Sequence, residues 1–221
     1  MVAQIIGKKL LELGHEVMIS SRDINKDKGS FPSAKNWASD RITEGFKAHA
    51  NSFEDAAKFG EIVINCTSGS HSIEALTLAN EKNLENKILI DLANPLDFSK
   101  GMPPSLTISN TTSLGEEIQK AFPKVKVVKV LNTINAEVMV NPGIIQGEHD
   151  LLISGNDREA KEKVIKEILK DGFGWKTIID LGDITASRGM EMYLPLWVRL
   201  MTTLKTPHFN IHVNIKKEGT S

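Results

Sequence analysis

Ser21 and Arg22 directly follow the first strand-like segment of the chain, which covers Glu16 to Ser20. In α/β folds that bind dinucleotides, the side chain at this position meets the adenosine ribose. An acidic residue there binds the 2′-hydroxyl, whereas an arginine accommodates a 2′-phosphate. The position therefore predicts that Arg22 binds a 2′-phosphate, with hydrogen bonds from Ser21 and added positive charge from Lys26 or Lys28. The alternative is an ordinary solvated loop, since serine and arginine are common after strands.

Three later strand ends carry small or amide side chains, which suit close approach and hydrogen bonding by a ligand. These strands are expected at Ile62 to Asn65, Lys87 to Leu92 and Val125 to Val130. The side chains that follow them are Thr67, Ser68, Asn94, Pro95, Asn132, Thr133 and Ile134. Ligands of open parallel sheets bind at the carboxyl ends of the strands. One such loop alone would indicate only a turn, but three in succession favour a ligand crevice.

Lys129 and Asn132 place an amine and an amide at one strand end, and they are the candidate acid/base residues. A plain surface lysine is the alternative for Lys129. His208 and His212 have the spacing of a zinc pair on a helix, but their segment looks extended and lacks a third ligand. No metal site is therefore expected. Cys66 is interpreted as a small strand-end residue without a redox role.

The elements that position these residues are short apolar runs alternating with helical patterns and polar turns. Such alternation predicts crossover units, and hence an α/β fold with a doubly wound, mainly parallel sheet. A soft boundary at Asn141 to Gly143 divides the chain. Residues 1–142 are expected to form a nucleotide-binding domain, and residues 143–221 a small α/β portion packed on it.

The segment from Met190 to Leu204 is apolar around most of its helical circumference. A helix with so little polar face is normally buried on several sides. We expect it to close the substrate end of the crevice or to form a subunit contact. Homodimerisation and core packing within one chain are both open as ways to bury its outer side.

The charge is nearly balanced, with 27 basic and 28 acidic side chains and a net charge of −1. Neither nucleic acid nor an anionic membrane is therefore expected as the main partner. No apolar run reaches the ~20 residues that span a bilayer. A single cysteine fits a reducing compartment, and the expected localisation is cytoplasmic.

The glycine-rich loop that precedes the first helix of dinucleotide-binding folds has no counterpart in the sequence. The chain begins inside the expected helix, where Ala3 fits the last position of a G-x-G-x-x-G/A pattern. We therefore expect an apolar strand and a G-x-G loop to be encoded upstream of Met1, unless a neighbouring element fills the same place. Otherwise Val17 to Ser20 and Ile62 to Asn65 would face an unfilled slot with unpaired backbone groups.

Taken together, these motifs make the chain resemble the NADPH-dependent reductases of the deazaflavin coenzyme F420, and the related oxidoreductase domain of metalloreductases. The resemblance covers nearly the whole length. It rests on Leu13 to Val17 leading to Ser21 and Arg22, then Asp91 to Phe98, Val127 to Thr133, Ser154 to Asp157, Asp180 to Asp183, and Tyr193 to Trp197.

The resemblance implies a Rossmann-like fold that binds NADP(H), with Ser21 and Arg22 on the 2′-phosphate. Thr67 and Asn94 would lie near the cofactor, and the loop from Leu131 to Ala136 would flank the nicotinamide. The full expected cofactor-binding set is Ala3, Ser21, Arg22, Lys26, Thr67, Ser68, Asn94, Pro95, Thr133 and Ile134.

The first functional hypothesis is an NADPH-dependent oxidoreductase that transfers hydride between NADP(H) and a flavin-like or deazaflavin acceptor. Such a transfer requires stacked rings and needs no conspicuous nucleophile or metal. The segment Asn132 to Asn135 differs from the His-Thr-Ile-Pro of deazaflavin reductases, which leaves the small-molecule acceptor open. The second hypothesis is a catalytically silent nucleotide-binding or interaction protein that has lost the glycine loop.

Overall fold

Strands alternate with helices throughout the computed structural model, which describes residues 1–216. The strands are β1 (Val17–Ser20), β2 (Ala48–Asn51), β3 (Ile62–Asn65), β4 (Ile88–Asp91), β5 (Leu96–Asp97), β6 (Ser105–Leu106), β7 (Lys126–Val130), β8 (Asp150–Gly155) and β9 (Thr177–Asp180). The helices are α1 (Val2–Glu12), α2 (Ala34–Thr43), α3 (Phe53–Phe59), α4 (Ser72–Leu78), α5 (Glu81–Leu84), α6 (Leu114–Ala121), α7 (Ala136–Val140), α8 (Arg158–Lys163), α9 (Ser187–Met192) and α10 (Leu194–Leu204). Short 3₁₀ helices cover Gly69–His71, Pro142–Ile144 and Ile184–Ala186, and a π-helix, Val164–Phe173, continues α8.

Serine and aspartate side chains fix where several helices begin. Ser113 is the N-cap of α6, and its hydroxyl accepts a hydrogen bond from the Glu116 backbone N–H at 3.1 Å. The same hydroxyl donates to the Glu116 carboxylate at 2.8 Å, so these two side chains bind each other at the start of the helix. Ser33, Ser52 and Asp157 cap α2, α3 and α8 in the same way.

The central sheet has five strands in the order β3-β4-β7-β8-β9. β3, β4 and β7 run parallel, β8 is antiparallel to β7, and β9 is parallel to β8. A separate parallel pair is formed by β1 and β2, and β5 and β6 form a two-residue antiparallel ladder. The predicted α/β architecture with a mainly parallel sheet is therefore confirmed.

The central strands carry apolar side chains on both of their faces. In the sequence these strands are therefore continuous apolar runs. Ile90 and Val128 pack into a cluster with α1, α7 and the π-helix. Leu89 and Val127 pack on the opposite face with residues of α3, α4 and α6. Helices thus cover both faces of the sheet, as the doubly wound arrangement requires. A third cluster around Trp37 lies between α1, α2 and the β1–β2 pair.

The β1–β2 pair and the central sheet are separated by an open slot. Within residues 1–216, β1 is hydrogen-bonded to β2 alone and β3 to β4 alone. Every residue of β1 and of β3 lines the cleft between them, whose volume is about 700 Å³. The expectation that these two strands face each other without a strand between them is met.

The residues after 142 extend the same sheet, because β8 pairs with β7 and β9 pairs with β8. The proposed division at residues 142 and 143 stays a prediction.

The helix expected over Met190 to Leu204 is in fact two helices, α9 and α10, separated at Tyr193. Pro195 in the first turn of α10 explains the new start, since proline suits the beginning of a helix. Among residues 1–216, no helix is both long and apolar enough to cross a bilayer.

Candidate functional site

The candidate site lies at one end of the slot, where β1 and β3 finish and α1 begins. The lining of the cleft includes Ala3, Ser21, Arg22, Thr67 and Ser68. Half of the predicted cofactor-binding set is thus brought together by the fold. Its volume of about 700 Å³ is within the range of small-molecule sites.

Arg22 lines this cleft, and its guanidinium forms no ion pair with any of residues 1–216. The arginine ion pairs formed among residues 1–216 belong to Arg41, Arg158 and Arg188, and Arg22 is exposed. Ser21 is half-buried, and its hydroxyl donates to the carbonyl oxygen of Asp23 at 2.7 Å. That bond leaves the hydroxyl oxygen able to accept, whereas donation to a ligand would require it to rotate.

Lys26 does not line the cleft, although the sequence placed its charge there. Lys28 lines it instead, in a turn where its backbone pairs with that of Phe31. The amino group of Met1 is close enough to Lys28 for the lysine to act on it. Burial lowers the pKa of this amino group, and the charge of Lys28 lowers it further. Of the two lysines that the sequence offered, Lys28 and not Lys26 lines the cleft.

Thr67 begins a chain of buried hydrogen bonds that leads away from the cleft. Its hydroxyl donates to the Asn65 side-chain oxygen at 2.7 Å, and the Asn65 amide donates to the Asp91 carboxylate at 2.8 Å. Ser72 contacts both Asn65 and Thr67 through its hydroxyl. The strand ends of β3 and β4 are thereby tied together, and the Thr67 side chain is held in one orientation.

Lys129 ends this chain inside the protein and does not reach into the crevice. Its side chain is fully buried, and its Nζ lies 2.8 Å from Asp91 Oδ2 and 2.8 Å from Glu191 Oε1. The same ammonium donates to the carbonyl oxygen of Ala93. Burial alone would lower the pKa of Lys129, but the two carboxylates outweigh it and raise the pKa. Both the catalytic and the surface expectations for Lys129 are therefore replaced by a structural one.

Glu191 is the partner that sequence reasoning missed. It lies on α9, is almost fully buried, and accepts hydrogen bonds from the backbone N–H groups of Leu114 and Gly115 at 2.8 and 3.0 Å. These N–H groups belong to the first turn of α6, where the helix dipole favours negative charge. A glutamate within an apolar helical pattern was the only available signal. The two backbone N–H groups that it accepts from lie more than seventy residues away in the sequence.

The three strand-end loops meet through Asn94, Asn132 and Gly69. The Asn94 amide donates to the Asn132 carbonyl oxygen at 2.8 Å, and the Asn132 amide donates to Asn94 Oδ1 at 3.0 Å. Gly69 packs so closely on this pair that an added Cβ would lie 2.1 Å from the Asn94 carbonyl oxygen. The loop after β3 is therefore pressed directly on the loop after β4, a close approach that sequence reasoning did not identify.

The rest of the predicted set lies outside the lining of the cleft. Pro95 and Thr133 are buried, and Ile134 belongs to the main apolar cluster. Asn132 is buried too, and its Oδ1 has no hydrogen-bond partner among the described residues. This oxygen is a spare acceptor at the strand end of β7.

Cys66 borders the cleft, and burial of its sulfur raises the pKa of the thiol to about 12, so the thiol stays protonated.

The chain is similar to known proteins in sequence and in structure. Residues 1–95 match the family model described as NADP oxidoreductase, coenzyme F420-dependent. The F420-dependent NADP reductase of Methanocaldococcus jannaschii is 28% identical over 209 residues, which cover 92% of this chain and 89% of the relative.

Two solved structures extend the comparison. One, from Arthrobacter sp. FB24 and described as a candidate F420-dependent NADP reductase, is 46% identical with a TM-score of 0.89, covering 97% of this chain and 95% of that one. The other, an imine reductase of Myxococcus stipitatus in complex with NADP⁺, is 18% identical with a TM-score of 0.57, covering 92% of this chain and 60% of that one. The second likeness concerns the fold alone.

Proposed function

Because this chain belongs to the family of coenzyme F420-dependent NADP oxidoreductases, we propose that it transfers hydride between NADP(H) and a deazaflavin or flavin-like acceptor. The observation that carries the proposal is the uncommitted guanidinium of Arg22, in a cleft shared with the amino end of α1, Thr67 and Ser68. Cations, helix amino-terminal N–H groups and hydroxyls are the donors that phosphate groups prefer. The residues present therefore fit the phosphate-bearing end of NADP(H).

Arg22 and Ser21 would hold the 2′-phosphate, which is the feature that separates NADP(H) from NAD(H). The first-turn N–H groups of α1, at Val2 and Ala3, would face the diphosphate. Lys28 adds positive charge to the same end of the cleft. NADPH, when bound, supplies the hydride; the protein supplies binding and orientation.

Asn94 and Asn132 would orient the reactive end of the bound molecules. Their reciprocal amide hydrogen bonds fix both side chains, and the spare Oδ1 of Asn132 can accept from an amide N–H such as that of a carboxamide. Lys129 supports this arrangement indirectly, since its bond to the Ala93 carbonyl oxygen holds the residue before Asn94. Lys129 is thus a positioning residue in this proposal, whereas Asn132 would contact the bound molecules.

The test is a titration followed by a turnover assay on the full chain. Calorimetry with NADPH and NADH measures binding first, and we expect NADPH to bind more tightly. NADPH oxidation is then followed by absorbance with coenzyme F420, FAD, FMN and ferric chelates as acceptors, and we expect turnover with a deazaflavin or flavin. Tight NADPH binding without turnover by any acceptor would favour the silent nucleotide-binding alternative. Absence of NADPH binding would contradict both.

A further inference from the structure

Two buried carboxylates share a single buried cation at the ends of β4 and β7. Lys129 Nζ lies 2.8 Å from both Asp91 Oδ2 and Glu191 Oε1, and all three side chains are at most 1% exposed. Burial alone would lower the pKa of Lys129, but the two carboxylates raise it, so the amine carries its proton. One positive and two negative groups leave this buried cluster with an excess of one negative charge.

The hydrogen bonds of the two carboxylates fit their ionised form. Asp91 accepts from the Asn65 amide at 2.8 Å and from the Ala93 backbone N–H at 3.2 Å, besides the lysine. Glu191 accepts from the lysine and from two backbone N–H groups at the start of α6. A carboxyl group that only accepts hydrogen bonds is the charged form. The amino end of α6 offsets at most about half a unit of this charge, so the buried cluster stays negative.

The buried cluster lies directly behind the proposed reactive end of the site. Ala93 is bound to it twice, because its carbonyl oxygen accepts from Lys129 and its N–H donates to Asp91. The next residue, Asn94, exchanges amide hydrogen bonds with Asn132, whose buried Oδ1 has no partner among the described residues. An unsatisfied buried acceptor is an independent sign of a ligand at this strand end. One short stretch of backbone would thus separate the buried cluster from that ligand.

We propose that Asp91 and Glu191 favour the oxidised form of the bound cofactor through this excess negative charge, and thereby make bound NADPH a stronger hydride donor. This inference rests on the proposed function and adds a direction to the transfer. The hydride leaves the dihydronicotinamide ring with both electrons of its C–H bond and bonds to the deazaflavin or flavin acceptor. The reduced acceptor then carries the negative charge until it gains a proton from solvent. The nicotinamide ring becomes cationic, so a nearby negative charge stabilises it more than the neutral ring.

Coulomb's law gives the size of the expected effect. At an effective dielectric constant of about 20, a unit charge ~12 Å away changes an equilibrium constant by roughly tenfold. Salt screens such buried charges much less than surface charges. Removing one carboxylate charge should therefore shift the ratio of NADP⁺ affinity to NADPH affinity by about three- to tenfold.

The experiment measures both affinities by calorimetry for the full chain and its variants Glu191→Gln and Asp91→Asn. Each substitution removes one negative charge and nearly keeps the shape of the side chain. Glu162→Gln is the matched control, because the Glu162 side chain is 59% exposed on α8, where solvent screens its charge. Thermal unfolding shows which variants are folded. A purely structural role of the carboxylates would weaken both cofactors alike and leave the affinity ratio unchanged.

We expect the unmodified chain to bind NADP⁺ at least as tightly as NADPH. Each folded variant at Asp91 or Glu191 should shift the ratio about three- to tenfold toward NADPH, and Glu162→Gln should leave it unchanged. An unchanged ratio in these variants, or a clear preference of the unmodified chain for NADPH, overturns this inference and leaves the proposed function standing. If neither variant folds, the ratio in the unmodified chain decides. Binding of neither cofactor by the unmodified chain overturns both.

Discussion

At the scale of single residues, Arg22 gives the sharpest test of cofactor choice. Replacing Arg22 by alanine would remove the proposed charge-assisted contact with the 2′-phosphate, worth about 1.5–3 kcal/mol, so NADPH affinity should fall roughly 10- to 100-fold. NADH affinity should change little, because NADH has no 2′-phosphate. Arg158→Ala is the matched control, since Arg158 is exposed on α8 and paired with Glu162. Calorimetric titration measures all four affinities, and equal losses for both cofactors in Arg22→Ala would contradict the assignment.

Lys129 should be needed for stability. Lys129→Met leaves the carboxylates of Asp91 and Glu191 buried without their cation, and breaking a buried ion pair in this way costs about 3–5 kcal/mol. Lys126→Met, on the same strand, removes a partly exposed pair with Asp157 and should cost less than about 1 kcal/mol. Urea unfolding compares the two variants. If Lys129→Met costs no more than Lys126→Met, the buried ion pairs of Lys129 do not stabilise the fold.

The sequence identified candidate site residues where they directly follow a strand. Arg22, Thr67 and Asn94 follow recognisable apolar runs, and this was enough to predict that each lies just beyond the carboxyl end of a strand. Glu191 and Gly69 were missed for a physical reason. The importance of Glu191 comes from α6 and β7, which are distant in the sequence, and that of Gly69 comes from a backbone contact with Asn94.

At the scale of elements, Gly69 sets how closely two loops can approach. Gly69→Ala would place a Cβ 2.1 Å from the Asn94 carbonyl oxygen, so the loops must move apart at a cost of about 1–3 kcal/mol. NADPH binding should weaken as well, since the displaced loops carry Thr67 and Asn94. Gly189→Ala is the control, because Gly189 lies inside α9 with nothing within 4 Å of an added Cβ, and it should stabilise by up to about 1 kcal/mol. Thermal unfolding would refute this if both variants behaved alike.

For the helices near the C-terminus, the apolar periodicity of the sequence predicted that helices form. It did not predict the type of helix or where one helix ends and the next begins. An apolar pattern identified both the segment after Asp157 and the segment after Met190. It could not distinguish an α-helix from the π-helix Val164–Phe173, because both present one apolar face. It also did not reveal the break at Tyr193, although Pro195 was a usable signal for it.

At the scale of the whole molecule, the homodimer stays a prediction. The exposed face of α10 is the surface expected to form it. Leu194 and Val198 of α10 are buried, whereas Leu196 is 54% exposed. We expect light scattering to show a dimer at micromolar concentrations and Leu196→Lys to give a monomer. Ile42→Lys, at an equally exposed position on α2, should leave the mass unchanged. A monomeric unmodified chain would remove the dimer and leave α10 as a partly exposed helix.

The sequence predicted the architecture of the molecule because alternating apolar runs and helices admit few arrangements. It also predicted the slot, since the strand order of such sheets places β1 and β3 on either side of a central position. The walls of that slot could not be predicted. They depend on side chains of α1, α3, α4 and the π-helix that converge only in the folded chain.

The π-helix has a consequence for how this chain tolerates changes of length. Each π turn holds about one more residue than an α turn. The ten residues of Val164–Phe173 form about two such turns, so deleting the exposed residue Lys166 would let one of them rewind as an α turn with little displacement of the elements on both sides. The same deletion inside α10 would rotate every later residue of that helix by about 100°. This stretch beside the slot is therefore where the chain can lose one residue at least cost, and where related proteins are expected to differ in length.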